Sequence, residues 1–292
     1  MDRLPFFAQR LFNTPLAIHP DKAEIVMAAL ADRLGVARLF SRDRLIVFDG
    51  QKTWDDDDDF ARPARRAGYD VTRDGVAVIP VSGTLVQKLD SLRPYSGMTG
   101  YDGIRLNLLA ALADGQVKAV MLDIDSPGGE VPGCFDLSDT IFAARNVKPI
   151  WAVLNEMAFS AAYALASAAS RVTVPRTGGT GSIGVVYLHT DLSRALDQAG
   201  ITVSVLRYGA RKYEGNTVEP LSDAARTRIQ ADLNATGELF VATVARNRRL
   251  AADRVRDQEA ACYRGQLGLG AGLADAVMAP DQAYRALLAT LD

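Results

Sequence analysis

Two cysteines and two histidines are few for 292 residues, and each scarcity removes a class of chemistry. Cys134 and Cys262 cannot build a disulfide framework and have no metal-ligand spacing, so the pair fits a reducing cytoplasm and no metal is expected. His19 and His189 leave a Ser-His-Asp triad thinly supplied, because His19 lies near the N-terminus and His189 follows a short apolar run. No apolar run approaches the ~18 residues of a membrane span, and the opening MDRLPFFAQRLFNTP has no signal-peptide core. A basic stripe is also missing. The 33 Lys and Arg against 35 Asp and Glu nearly cancel, and no stretch concentrates the cations that neutralising phosphates would require. Nucleic acid and membrane are therefore not expected partners.

What is present is a globular composition, 48% hydrophobic with moderate Gly and Pro. Residues 1–72 read as an N-terminal extension and 73–292 as one large domain. Within the extension, Ile25, Val26, Ala29, Leu30 and Leu34 share one face of a helix expected over 21–40. The acidic run Asp55–Asp59 and the basic ARPARR after it bury no apolar area, so 50–72 reads as a solvated linker rather than a cation site. From Gly75 onward, β-branched runs alternate with helical stretches. The strands expected are GVAVIPV, KAVMLDI, PIWAVL, RVTV, IGVVY and TVSVL, with helices near 101–113, 134–146, 158–170 and 190–199. Continuous apolar runs separated by helices predict an α/β fold with a mostly parallel sheet flanked by helices. Residues 221–245, with Leu221, Ala225, Ile229, Leu233, Phe240 and Val244 at near-helical spacing, predict a long amphipathic helix.

With histidine scarce, lysine is the natural alternative base for a serine nucleophile, since desolvation disfavours the ammonium form. In NEMAFSAAYALASAAS, residues 155–170, Ser160 stands between a strand and an Ala-rich helix, where helix N–H groups and a positive dipole surround it. The alternative is an ordinary N-cap serine. In DIDSPGGEV, residues 123–131, a strand runs into Gly128 and Gly129, whose main-chain N–H groups can approach a ligand closely, as an oxyanion hole requires. The alternative is a plain Pro-Gly turn.

The ordered set DSPGG, a serine at a helix start, GSIGVV at 181–186 and YGARKYEGN at 208–216, closed by GLAD at 272–275, resembles the S49 peptidases, the signal peptide peptidase A family. The match spans roughly 75–280. The resemblance implies a crotonase-like (ClpP-like) core and a serine endopeptidase in which Ser160 attacks, Lys212 takes and returns the proton, and Gly129 and Ala161 N–H groups hold the oxyanion. Relatives often carry Ser-Gly-Gly where this chain has Ser160-Ala161-Ala162. VAVIPVSGTL, LRPYSGMTGYDGI and FSAAYALASAA look most like the phage and prophage branch. That implies capsid, scaffold or portal proteins as substrates, a homo-oligomer, no cofactor, and a host-cytoplasmic or procapsid-associated location. Some phage relatives continue into a scaffold segment, whereas this sequence ends near its closing motif, so a scaffold is expected from another chain or start site.

Other readings stand beside this one. GTGSIG, 179–184, matches a dinucleotide fingerprint, but a β-branched run rather than a helix is expected after it. Acyl-CoA chemistry uses paired carboxylates, and only Glu130 and Glu156 lie near the two motifs. A non-catalytic scaffolding partner and a cytoplasmic protease of host peptides are further alternatives. Ser182 is either a turn hydroxyl or a helper to Lys212, while Cys134, His189 and Tyr213 read as structural. Residues 1–72 are open between a removable propeptide, a substrate mimic and a docking arm, with ARPARR a self-processing candidate.

Overall fold

In a computed structural model, residues 14–19, 68–88 and 97–291 are described. The helix expected over 21–40 lies outside them, as does the linker expected over 50–72 up to residue 67; in its remainder Asp70–Val71 form a strand paired with the one at Val76–Ser82 instead of a solvated linker. Along the chain the elements are β1 (Pro15–Ile18), β2 (Asp70–Val71), β3 (Val76–Ser82), β4 (Thr84–Val86), β5 (Met98–Gly100), α1 (Tyr101–Ala113), β6 (Ala119–Ser126), β7 (Gly128–Glu130) and α2 (Cys134–Ala144). There follow β8 (Ile150–Phe159), α3 (Ala161–Ser167), β9 (Arg171–Val174), β10 (Gly179–Gly181), β11 (Val186–Tyr187), α4 (Ser193–Gln198) and α5 (Asp223–Arg248). The chain closes through α6 (Ala252–Arg256), β12 (Cys262–Arg264), α7 (Gln266–Gly270), β13 (Ala276–Val277) and α8 (Pro280–Leu288).

The chain divides into two compact units. Among the described residues, the larger holds 15–19, 68–88, 97–186 and 231–291. Its main sheet runs β12–β10–β8–β6–β3–β2, and the β3/β6, β6/β8 and β8/β10 pairs are parallel. The apolar runs that form β3, β6 and β8 sit at its centre, with Ile79, Leu122, Ile124 and Leu154 wholly enclosed. Burying each such side chain contributes about 1.5–3 kcal/mol. Strand β8 is long enough to pair with β9 along its first half and β10 along its second, which carries its C-terminal end past β9 to Phe159. In a smaller sheet β7 pairs with β1 on one side and β4 on the other, and β4 continues to β5. This is the mixed α/β architecture that the alternating runs predict.

The second unit contains residues 187–230 among those described. Its loops are held by short-range bonds: His189 Nε2–H donates to the Asn216 carbonyl at 2.8 Å, Asn216 Oδ1 accepts from the Val218 and Glu219 N–H groups, and Arg228 pairs with Glu214. One expected strand is absent. TVSVL lies in an irregular stretch, 201–207, that pairs with no strand among the described residues. Its alternating β-branched residues are not burying a face: Ile201 and Val203 are exposed, and Leu206 is 98% exposed. β-Propensity records fit to a pleated surface, and without a partner strand it does not make a strand.

Helix α3 is buried along its whole length. Small side chains let it lie close to the sheet, and polar contacts fix it there. Asn247 donates to Ser138 Oγ and Ser167 Oγ, and both hydroxyls donate to the Ala164 carbonyl. Tyr163 OH donates to the Leu273 carbonyl at 2.9 Å. The GLAD segment is in turn clamped by Arg248, which donates to the Gly272 carbonyl and to both Asp275 oxygens, while Asp275 accepts from the Val172 N–H. Burial pushes the Asp275 carboxyl up, but the Arg248 hydrogen bonds and charge, the Val172 N–H and nearby Arg171 outweigh it and hold the group below the ordinary carboxylate range. A lowered folded-state pKa means that this stabilisation is in place above ~pH 3.9 and is lost as pH falls through the folded value. Asp275→Asn, leaving the Arg248 charge buried without its counter-ion, is expected to cost about 2 kcal/mol in urea unfolding at pH 7. The gap to the parent should narrow below about pH 4; equal stabilities at pH 7 would show that the clamp contributes nothing.

Candidate active site

The last residues of β8 deliver Ser160 to the start of α3 in a backbone conformation that few non-glycine residues adopt, φ 53° and ψ −121°. Such a conformation costs of order 1–3 kcal/mol and persists only where the surroundings enforce it. Here the Ser160 N–H donates to the Gly181 carbonyl at 2.9 Å, and its own carbonyl accepts the first helical bond from Ala164. No side-chain cap bond is made. Ser160 therefore does not serve as an ordinary N-cap, whose hydroxyl would accept from the first turn. Its Oγ donates instead to the Gly184 carbonyl at 3.3 Å, and the residue is 1% exposed.

Two glycine-bearing segments, Gly181–Gly184 and Gly128-Gly129, supply the close backbone contacts at and beside this serine. The end carbonyls of the first accept from the Ser160 N–H and Oγ–H and so bracket Ser182. Ser182 is itself buried at φ 54°, with its N–H donating to the Ala261 carbonyl. No helix follows GTGSIG: β10 ends at Gly181 and the chain continues irregularly to β11, which removes the dinucleotide reading. The second begins with Gly128, at φ 101°, where a Cβ would stand 2.3 Å from the Ala17 carbonyl oxygen and 3.0 Å from both the Phe159 carbonyl oxygen and Ser160 Cβ. Its N–H donates to Ser126 Oγ at 3.2 Å, and Ser126 Oγ donates onward to the Gly83 carbonyl. Beside it is Gly129, whose Cβ would lie 1.9 Å from the Leu85 carbonyl oxygen. Glycine is required at both positions because backbone meets backbone there.

Ala161 occupies the first position of α3, fully buried. The N–H groups of a helix's first turn have no carbonyl four residues before them, so this end of α3 is a source of donors. Cys134 packs under it, with Sγ–H donating to the Ala161 carbonyl at 3.7 Å. Burial pushes that thiol up to about 12, which keeps it protonated and inert, as the reading of Cys134 as a packing residue expects. Ser160, Gly128, Gly129, Ala161 and Ser182 thus belong to the larger unit. Lys212 belongs to the other. It sits on a turn in which its N–H donates to the Gly209 carbonyl. His189 is committed to the Asn216 carbonyl in that same unit.

Sequence reasoning missed Ser126 and the segment Thr14–His19. Ser126 was visible inside DSPGG, where a hydroxyl two residues before the first glycine has a main-chain N–H within reach. The pairing of β1 with β7, in the register Leu16–Glu130, Ala17–Gly129 and Ile18–Gly128, left only the apolar Leu16-Ala17-Ile18 between two prolines as its signal.

Comparison with known proteins identifies the same family that the sequence resembles. The model of peptidase family S49 matches residues 143–291. The chain is 41% identical over 294 residues to capsid assembly protease C of Escherichia phage lambda, a match covering 99% of this chain and 66% of that protein. It is also 41% identical over 285 residues to the head-tail preconnector protein of Enterobacteria phage P21, covering 96% of this chain and 56% of that one. The chain therefore spans only about three-fifths of the length of these relatives.

Gly129→Ala should be the least tolerated single change around Ser160, because its clash is with the Leu85 backbone and no rotamer relieves it. A loss of at least about 2 kcal/mol is expected in urea unfolding. Parental stability would mean that β4 and β7 do not approach as closely as described.

Proposed function

We propose that this chain, which belongs to peptidase family S49, is a serine endopeptidase whose nucleophile is Ser160 and whose general base is Lys212. The observation that carries the reading is the enforced conformation of Ser160, buried at the junction of β8 and α3 with Gly128 pressed against it. Strain of this kind is kept where geometry at a reacting atom matters more than local stability. Ser160 Oγ adds to the scissile carbonyl carbon while its proton passes to Lys212 Nζ. The C–N bond then breaks as that proton is returned to the leaving amine, and water hydrolyses the acyl-enzyme by the same route in reverse.

The developing oxyanion is held by the N–H groups of Gly129 and Ala161. Gly128, whose N–H is bonded to Ser126 Oγ, acts instead as the point of close approach. Losing one oxyanion donor costs on the order of 10² to 10³ in rate. Ser182, in the loop that brackets the nucleophile, is a supporting hydroxyl. The core that carries these groups is of the crotonase-like (ClpP-like) kind. The parallel β3–β6–β8 centre with the smaller β7 sheet beside it supports that assignment.

The names of the two phage relatives, a capsid assembly protease and a head-tail preconnector protein, support capsid-related proteins as substrates; on the proposed reading, capsid, scaffold or portal proteins are cleaved during head maturation, in the host cytoplasm or within the procapsid. A homo-oligomer is supported by 201–208, where Leu206 and Tyr208 are 98% and 100% exposed on an irregular stretch with no partner strand among the described residues. An unpaired apolar run of this kind suits a second copy of the chain.

The test is co-expression with candidate head proteins, comparing the parent with Ser160→Ala and Lys212→Ala and reading cut sites by mass spectrometry. Each variant should fold and lose cleavage by about 10⁴-fold or more. If Lys212→Ala still cuts, the base lies elsewhere; if the folded parent cuts nothing, the chain is a non-catalytic assembly partner.

A further inference from the structure

Residues Thr14–His19 lie far from Ser160 in sequence, yet they form the strand beside it. β1 runs antiparallel to β7 with Ala17 opposite Gly129, the residue assigned above as an oxyanion donor. One point in space locates the contact. Where a Cβ on Gly128 would stand, the Ala17 carbonyl oxygen is 2.3 Å away and Ser160 Cβ 3.0 Å away. Taken together, those two distances put the Ala17 carbonyl oxygen no more than 5.3 Å from Ser160 Cβ. The strand is anchored beyond it, where the His19 N–H donates to the Pro127 carbonyl at 2.8 Å and the His19 ring meets the Phe159 ring at 4.8 Å between centroids. Phe159 is the residue that precedes the nucleophile. Leu16, Ala17 and Ile18 are all buried, and Ala17 is fully enclosed.

These features are those of an extended peptide docked by strand addition, in which main-chain pairing gives affinity and side-chain pockets give selectivity. We propose that Thr14–His19 occupies in cis the strand position through which peptide substrates reach Ser160, with Ala17 standing where the residue on the acyl side of the scissile bond stands. This rests on the serine-peptidase reading. Two consequences follow from the packing. Substrates dock as extended segments with a small residue at the Ala17 position and aliphatic neighbours, since a close-packed site with no exposed surface around Ala17 has no volume for a larger side chain. The same segment excludes them until it leaves.

The test uses the full chain and the hexapeptide of residues 14–19, carried between a fluorophore and a quencher when it serves as substrate. Leu16→Asp with Ile18→Asp should evict β1 and raise kcat/KM on that peptide; a strand in place nine-tenths of the time would give an increase of about tenfold. The unlabelled hexapeptide should inhibit the evicted form, and the same peptide with tryptophan at the Ala17 position should not. An unchanged or lower rate in a variant that retains the parental circular dichroism overturns the proposal.

Since the double variant replaces buried residues, a second measurement requires neither it nor turnover. In the Ser160→Ala chain, millimolar hexapeptide should displace β1 and accelerate hydrogen exchange of the His19 amide while the amides of β6 and β8 stay protected. If exchange at His19 does not respond, the docking position is wrong even for an active protease. If it responds and nothing is cleaved by the parent or the evicted form, the docking edge stands and the peptidase reading fails.

Discussion

The arrangement around Ser160 depends on one constraint: three pieces of backbone approach more closely than any side chain permits. Gly128 faces Ala17 and Phe159 carbonyl oxygens, Gly129 faces the Leu85 carbonyl, and Gly181 faces the Ala261 carbonyl, each at a distance that a Cβ could not survive. Removing side chains at these points lets Gly128 pack against Ser160 while the Gly181 and Gly184 carbonyls accept from the Ser160 N–H and Oγ–H. Their positions are set by strands rather than by flexible rotamers. Electrostatic stabilisation of a transition state is most effective when the dipoles are already in place before charge develops. Backbone held by sheet pairing is a direct way to meet that condition.

Such packing has to be held together against the strain at Ser160 and Ser182, both at positive φ. The compensation is spread through the larger unit. Helix α3 offers alanines to the sheet and is tied through Ser138, Ser167 and Asn247, while Tyr163 reaches the GLAD segment, which Arg248 and Asp275 pin to β9. A motif near the C-terminus therefore bears on the nucleophile without touching it. The link runs from Asp275 through Leu273 and Tyr163 to the helix that begins at Ser160. Burial raises the Tyr163 phenol well above its ordinary range, which keeps it protonated and a donor at neutral pH.

Much of this was legible in the sequence, for a physical reason. β3, β6 and β8 are buried on both faces and read as unbroken apolar runs, and the Ala-rich α3 has a composition that only close helix-to-sheet packing explains. Ser160, Gly128 and Gly129 stand out because a strand end, a helix start and paired glycines are local features. Lys212 had no such signal. Its turn resembles any exposed turn, and only its order behind the other motifs marks it. The strand expected at TVSVL failed because alternating β-branched residues report compatibility with a sheet, and nothing in a single segment says whether a partner strand exists. β1 escaped notice for the converse reason: its partner β7 is Gly128-Gly129-Glu130, two-thirds glycine, which has no pattern from which pairing can be read.

The position of β1 also bears on how such a site is controlled. A segment tethered to its own docking edge competes at an effective concentration on the order of millimolar, set by the connecting chain rather than by supply. Free peptides at micromolar concentration lose that competition even when their strand pairing is equally good. Segments held near the site by a second contact do not, because they too act at an effective concentration. Selectivity then has two layers: the close-packed Ala17 position admits only small residues, and among segments that satisfy it the one presented by a body already bound nearby wins. Such a protease would discriminate by assembly as well as by sequence.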